Sequence, residues 1–377
     1  MLIGIDASRA TRPQRTGTEN YTLYLTRALV KLGPQHRFRL YLDHMPPAGL
    51  LPHDERVEWR VMPFPRLWTH VRLAWEVARH PPDVLFVPAH VLPLVHPRRS
   101  VATVHDLGYL RHPAAHTLAG RWYLAWATRF NARTAARVIV DSQATRSDLE
   151  QLYQVAPEKL VVAYPAGTEG FAPVSDPAAR ADVQARYGAG ASYFLYVGTL
   201  QPRKNLLALI EAYARLRAAG HLGPDVRLVL AGKAGWLAEG IIARARAADV
   251  RDAVALPGYV AERDLPALLS GALAFVMPSW YEGFGLPVLE AMACGAPVIA
   301  SDVSSLPEVA GGAALLVDPR NVDALAEAML RAYRDPALRA ELAARGLERA
   351  RHFTWEACAR TVLAALEQVG AGAADGR

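Results

Sequence analysis

Residues 278–297 read Pro278-Ser-Trp-Tyr-Glu282-Gly-Phe-Gly285-Leu-Pro-Val-Leu-Glu290-Ala-Met-Ala-Cys-Gly295-Ala-Pro297, with two carboxylates around a glycine-rich turn that opens a helix. The apolar run Ala272 to Met277 before it reads as a buried strand, which Pro278, Ser279, Gly283 and Gly285 break. Pro287 suits a first helical turn and Gly295 the position past a helix end, with Val288, Leu289, Met292 and Ala293 as the apolar face. On this reading Glu290 sits in the first turn. Strand, glycine turn and helix in that order form the repeating step of a parallel α/β sheet.

The same stretch has chemistry in it. Gly283 and Gly285 leave backbone N–H groups open to a ligand, and the helix adds its positive end, so an anion or a hydroxyl-rich group is favoured there. A carboxylate offers two acceptor oxygens, which matches two neighbouring sugar hydroxyls, so Glu282 and Glu290 can grip both halves of a nucleotide sugar. Acidic residues near helix starts and glycines in loops are each ordinary, and the weight lies in the combination. Glu282-Gly-Phe-Gly-Leu-Pro287, Glu290 and Cys294-Gly-Ala-Pro-Val-Ile-Ala-Ser301 together resemble the donor-site signature of family 4 retaining glycosyltransferases. The resemblance implies that Glu282, Gly283, Phe284, Gly285, Leu286 and Glu290 contact the donor.

A second stretch, Tyr196-Val-Gly-Thr-Leu-Gln-Pro-Arg-Lys-Asn205, follows the strand Tyr193 to Val197 and resembles the family's phosphate-binding segment. Arg203 and Lys204 suit a diphosphate, and fixed positive charge aimed at a leaving nucleoside diphosphate stabilises the transition state without a metal. Gly198 belongs to this loop, and Thr199 stands where many members carry Arg. The Gly-Thr-Leu-x-Pro-Arg-Lys-Asn form is similar to bacterial polysaccharide mannosyltransferases, which implies GDP-mannose as the favoured donor and a UDP-sugar as the alternative. Gly232 and Lys233, after the strand Val226 to Ala231, and the backbone of Tyr259 and Val260 complete the implied donor set, with no metal and no cofactor.

Nearer the N-terminus, Arg15-Thr-Gly-Thr-Glu-Asn20 resembles the family's glycine-rich acceptor loop in shortened form, with Gly17 close to the diphosphate. In Thr103-Val-His-Asp-Leu-Gly108, the resemblance implies that His105 bonds a sugar hydroxyl and that Asp106 orients it or the acceptor. His90 reads as an ordinary loop residue that could line the acceptor side. No full Gly-x-Gly-x-x-Gly fingerprint is present, so a nicotinamide-dependent oxidoreductase is not supported.

At 377 residues the chain is long enough for two cores. Short buried strands are predicted at Leu2–Ile5, Arg37–Leu42, Val84–Val87, Ser100–Val104, Val138–Val140 and Leu160–Ala163. After a Pro-, Ala- and Gly-rich hinge from Pro173 to Ser192, they resume at Tyr193–Val197, Val226–Ala231, Ala253–Leu256, Ala272–Met277 and Pro297–Ala300. Helical patterns lie between several of them, including Glu19–Leu32 and Tyr123–Ala136. The expected fold is α/β and of the GT-B type, two Rossmann-like domains facing across a cleft. Residues 1–175 form an acceptor-binding domain and 190–354 a donor-binding one, with a C-terminal helix at about 355–370 crossing back to the first.

Charge is uneven: 21 Lys and Arg face 14 Asp and Glu through Pro173, a net +7, against 21 and 22 afterwards, a net −1. Net charge argues about partners: nucleic acid, an anionic leaflet or a phosphate-bearing acceptor. No groove-reading motif is visible, so nucleic acid is not expected. Trp68, Trp75, Trp122 and Trp126 lie among Arg66, Arg72, Arg79, Arg121 and Arg129, which suits peripheral contact with an anionic membrane. Met1-Leu-Ile-Gly-Ile-Asp6 brings an acid too early for a secretory signal, so a cytoplasmic protein, at the inner face of the cell membrane where it meets one, is expected. Cys294 and Cys358 are too few for a disulfide framework or a zinc site.

The reading is a metal-independent retaining glycosyltransferase that moves a hexose to a glycan or lipid-linked acceptor. On it, Glu282→Gln lowers turnover and leaves the fold intact. The alternative is a non-catalytic nucleotide-sugar or glycan-binding subunit of the same fold.

Overall fold

The computed structural model describes residues 1–12, 17–89, 91–113, 117–167 and 169–372. His90, Arg15 and Thr16 lie outside the described residues. Contacts divide the chain into two units: one holds Met1–Leu110, Leu118–Ala166 and Thr354–Arg377, the other Arg111–Thr117 and Gly167–Phe353. The Pro173–Ser192 stretch lies wholly within the second.

Among the described residues, the first unit holds a seven-stranded sheet: β1 (Leu2–Asp6), β2 (Arg37–Leu42), β3 (Val57–Val61), β4 (Val84–Val87), β5 (Ser100–Val104), β6 (Arg137–Val140) and β7 (Leu160–Val162). Their order is β3-β2-β1-β4-β5-β6-β7, with parallel pairing throughout. β4 and β5 are buried at every position; β4 reads as an unbroken apolar run, while β5 also buries Ser100 and Thr103. The helices are α1 (Gly17–Leu32), α2 (Ala74–Arg79) entered through a π-helical turn Thr69–Leu73, α3 (Gly108–Arg111), α4 (Leu118–Thr134) and α5 (Gln143–Tyr153).

The C-terminal helix Trp355–Ala371 belongs to this unit. Thr354 caps it by accepting from Ala357 N at 3.1 Å. Trp355, Ala359, Val362 and Leu366 recur at helical spacing and are buried. Trp355 stacks on Tyr24 of α1 at 5.7 Å. Burying Val362 and Leu366 contributes about 1.5–3 kcal/mol each.

The second unit holds, among the described residues, a six-stranded parallel sheet in the order β10-β9-β8-β11-β12-β13. Its strands are β8 (Ser192–Val197), β9 (Val226–Ala231), β10 (Val254–Gly258), β11 (Ala274–Met277), β12 (Val298–Ser301) and β13 (Leu315–Val317). Its helices run from α6 (Pro177–Arg186) through α7 (Leu206–Ala218), α8 (Glu239–Ala245), α9 (Leu265–Ser270), α10 (Leu286–Ala293) and α11 (Leu306–Ala310) to α12 (Val322–Arg334) and α13 (Pro336–Ala350). The order reverses between β8 and β11, so chain leaving those two strands diverges. Ligands of open α/β sheets bind at such a switch point, at the strands' carboxyl ends.

Two expectations change. α10 starts at Leu286 behind Gly285, which holds φ +107°. Glu290 is therefore the fifth helical residue, in the second turn and not the first. Trp68 turns inward: its indole N–H donates to Met62 O at 2.8 Å, and its ring packs on the core.

Candidate donor site

The switch point of the second unit is built by the segments after β8 and β11. Behind β8, Gly198 and Thr199 lead into a 3-10 turn, Pro202–Lys204, which ends at Asn205 in the left-handed conformation, φ 55°. Asn205 Nδ2 donates to Pro319 O at 2.8 Å and pins the turn. Trp280 N, behind β11, donates to Arg203 O at 2.9 Å. The Arg203 guanidinium in return donates to the Tyr281 carbonyl. Backbone and side chain of Arg203 thus tie the two segments together.

Glu282 completes a buried ion triad. Lys204 Nζ lies 2.6 Å from its Oε1 and Arg203 Nη1 lies 3.1 Å from its Oε2, with all three side chains about nine-tenths covered. Burial alone would raise the Glu282 pKa, but Lys204 and then Arg203 outweigh it and hold the carboxyl at about 2. Two cations and one anion leave a net charge of +1. Ser304 and Ser305, just ahead of α11, brace the loop: Glu282 N donates to Ser304 Oγ at 2.9 Å, and the Ser305 hydroxyl lies 2.9 and 2.7 Å from the carbonyls of Glu282 and Phe284. The Glu282 N–H is therefore taken by the protein. The Phe284 ring is core, edge-on to Phe353 at 5.7 Å, so only its backbone borders the site.

Glu290 has the opposite environment. Burial pushes its carboxyl up to about 8, and Glu262 adds to the rise. The surroundings of the two carboxylates, one behind β11 and one on α10, thus drive their pKa values apart, a pattern that recurs at functional sites.

Neighbouring loops supply the rest. Gly232 N donates to Gly258 O at 2.8 Å, and Leu200 N to Lys233 O at 2.8 Å. A Cβ on Gly232, at φ +148°, would lie 1.9 Å from Gly198 O, so only glycine fits where these loops meet. Lys233 sits over the exposed Tyr259 ring at 5.1 Å, while the Val260 side chain is core. Leu286, the first residue of α10, is half-buried. His112 is an addition: its ring lies 6.2 Å from Trp280, and burial, then Arg203 and Arg320, lower its pKa despite a bond to the Trp280 backbone.

In the first unit the order reverses between β1 and β4. Gly17 is the exposed first residue of α1, behind β1. His105 follows β5. Its Nδ1 lies 2.7 Å from Asp141 Oδ2 and its Nε2 2.9 Å from Pro88 O. The residue that orients His105 is thus Asp141, at the end of β6, and not Asp106, whose Oδ1 accepts from Gly108 N at 2.9 Å in a local turn. Burial lowers the His105 pKa, but Asp141 first, with Asp106 and the Pro88 carbonyl, raises it further than burial depresses it. Both ring nitrogens face acceptors, which favours the imidazolium.

The chain superposes on sucrose-phosphate synthase of Thermosynechococcus elongatus with a TM-score of 0.76 at 24% identity, covering 99% of this chain and 100% of that one. It superposes on Anabaena HepE in complex with UDP-glucose with a TM-score of 0.73 at 18% identity, covering 97% and 99%. The fold is therefore GT-B, two parallel α/β sheets with their helices. Residues 15–166 match the family model described as Glycosyltransferase Family 4, and residues 184–349 the model described as Glycosyl transferases group 1. The O-antigen chain mannosyltransferase B of Escherichia coli is 35% identical over 288 residues, 76% of this chain and 74% of its own length. The chain belongs to this glycosyltransferase family.

Proposed function

We propose that the protein transfers a hexose, with mannose favoured, from a nucleoside diphosphate sugar to a glycan or lipid-linked acceptor in polysaccharide assembly, with retention of configuration. The Arg203–Lys204–Glu282 triad at the β8/β11 switch point carries this reading, because its net positive charge matches a diphosphate that gains charge as it leaves. The donor's C1–O bond to the β-phosphate breaks, and an acceptor hydroxyl bonds C1 from the same face through an oxocarbenium-like state. The hydroxyl proton passes to the departing phosphate oxygen. Arg203 and Lys204 hold that phosphate, the Glu282 carboxylate orients the hexose, and Glu290 receives the ribose hydroxyls. The fixed cations make a metal unnecessary. The name of the mannosyltransferase relative favours mannose, and GDP-mannose is the first donor to try, before UDP-sugars.

The test is NMR-monitored transfer from GDP-mannose, in the presence of EDTA, to a mannosyl oligosaccharide. An α-linked product from the α-donor supports the reading. A β-linked product overturns retention, and loss of turnover with EDTA overturns metal independence. Donor binding with no transfer to glycan or lipid-linked acceptors would favour a binding subunit.

A further inference from the structure

We propose that the first unit carries a docking face for an anionic bilayer, formed by the π-helical turn with α2 and by α4. Ring contacts join these segments: His70 is edge-on to Trp126 at 5.7 Å, and Trp126 stacks on Phe130 at 5.6 Å. Along α4, Leu118, Trp122 and Trp126 recur every four residues and are 71%, 78% and 42% exposed. Leu67 and Trp75, flanking the π-helical turn, are 69% and 51% exposed. An exposed cluster of large apolar side chains marks an interaction surface, whereas single exposed residues do not.

Charge selects the occupant. From Leu107 to Val140 the sequence has five Arg and no Asp or Glu, and between Arg60 and His80 its one carboxylate is Glu76. Glu76 is buried and engaged by Arg72 at 3.4 Å and Arg60 at 3.6 Å. Arg72 and Arg79 lie over the Trp75 ring at 5.2 and 4.8 Å. The two segments thus present aromatic bodies rimmed by guanidinium groups, with no exposed carboxylate of their own. Indole rings settle at the headgroup level, and arginines reach from there to lipid phosphates. Among the described residues no helix is long and apolar enough to cross a membrane, so this contact is peripheral. Trp68, which faces the core, takes no part.

The test is co-sedimentation of the full chain with phosphatidylcholine vesicles, with and without phosphatidylglycerol, beside Trp122→Ser/Trp126→Ser. The face predicts binding to the anionic vesicles alone and a loss of about tenfold or more in the double variant, with the melting temperature unchanged in Trp122→Ser alone and lowered somewhat in the double variant, because Trp126 also contacts His70 and Phe130. Quenching of tryptophan fluorescence by brominated acyl chains, measured on the unaltered protein, needs no variant and is expected in the anionic vesicles. Absence of both pelleting and quenching overturns the proposal. So does a wild-type dimer in light scattering that the double variant converts to monomer, which would show a second copy covering the face.

Discussion

Glu282 sits where three buried side chains neutralise one another incompletely, and that governs how its variants behave. Glu282→Gln strands two covered cations. The fold is therefore not indifferent to it, as the motif alone suggested: a cost of about 3–5 kcal/mol is expected from breaking such a cluster. GDP supplies the missing negative charge, so the variant should melt lower than wild type without ligand and gain more from GDP. Equal melting temperatures without ligand would remove the triad from the account. Glu290 works in the other direction. Its carboxyl holds a proton up to about pH 8 in the folded chain and to about 4.5 unfolded, so the ligand-free protein loses stability as pH rises between those values. Glu290→Gln should then raise the melting temperature at pH 8 by about 2 °C or more while weakening donor binding about tenfold. A melting temperature unchanged or lowered there contradicts the environment assigned to Glu290. For His105, whose raised pKa is owed to Asp141, stability is complete below the unfolded value of 6.5 and is lost as pH rises through the folded one. NMR titration should find it above 6.5 in the wild type and lower in Asp141→Asn. An unchanged value would show that Asp141 does not set the charge. That Arg203, Lys204 and Glu282 belong together was legible because each lies in a local motif whose spacing survives in one dimension. Asp141 was missed although Val138-Ile-Val-Asp141-Ser142 ends a strand as Thr103-Val-His-Asp106 does, because the pairing of β5 with β6 that joins them is a tertiary fact.

At the scale of elements, what could be read from sequence follows burial. β4, β5, β11 and β12 are covered at every position; β4 and β11 read as apolar runs, and β5 and β12 as mostly apolar ones that include Ser100, Thr103 and Ser301. β3 did not: Val57-Glu-Trp-Arg-Val61 alternates and lies at the sheet edge. β13 has three residues behind a glycine pair, too short to register. Ser304 and Ser305 escaped as well, since no local pattern says that the turn ahead of α11 braces a loop about twenty residues earlier. The meeting of the loops after β8 and β9 has a direct test. Gly232→Ala places a methyl against the Gly198 carbonyl and should cost about 2 kcal/mol or more in denaturant melts. Gly240→Ala, on α8 with open space around it, should be neutral or stabilising by up to about 1 kcal/mol. Similar losses in both would show that the crowding at Gly232 is not what requires glycine there.

Across the whole chain, basic excess and donor chemistry separate. The residues through Pro173 carry the net +7 and the aromatic face, while the remainder is nearly neutral as a whole and buries one triad of net charge +1. A general attraction for anions and a specific diphosphate site are therefore different properties, and salt should weaken the first far more than the second, since buried pairs are screened less. The most direct measurement is calorimetric titration of GDP and guanosine into wild-type protein and Lys204→Met at raised ionic strength. The account predicts that wild type binds GDP and guanosine fails to compete at matched concentration, and that Lys204→Met weakens GDP by about tenfold or more. GDP affinity that is unchanged in Lys204→Met would contradict it, because the triad would then not be the diphosphate site.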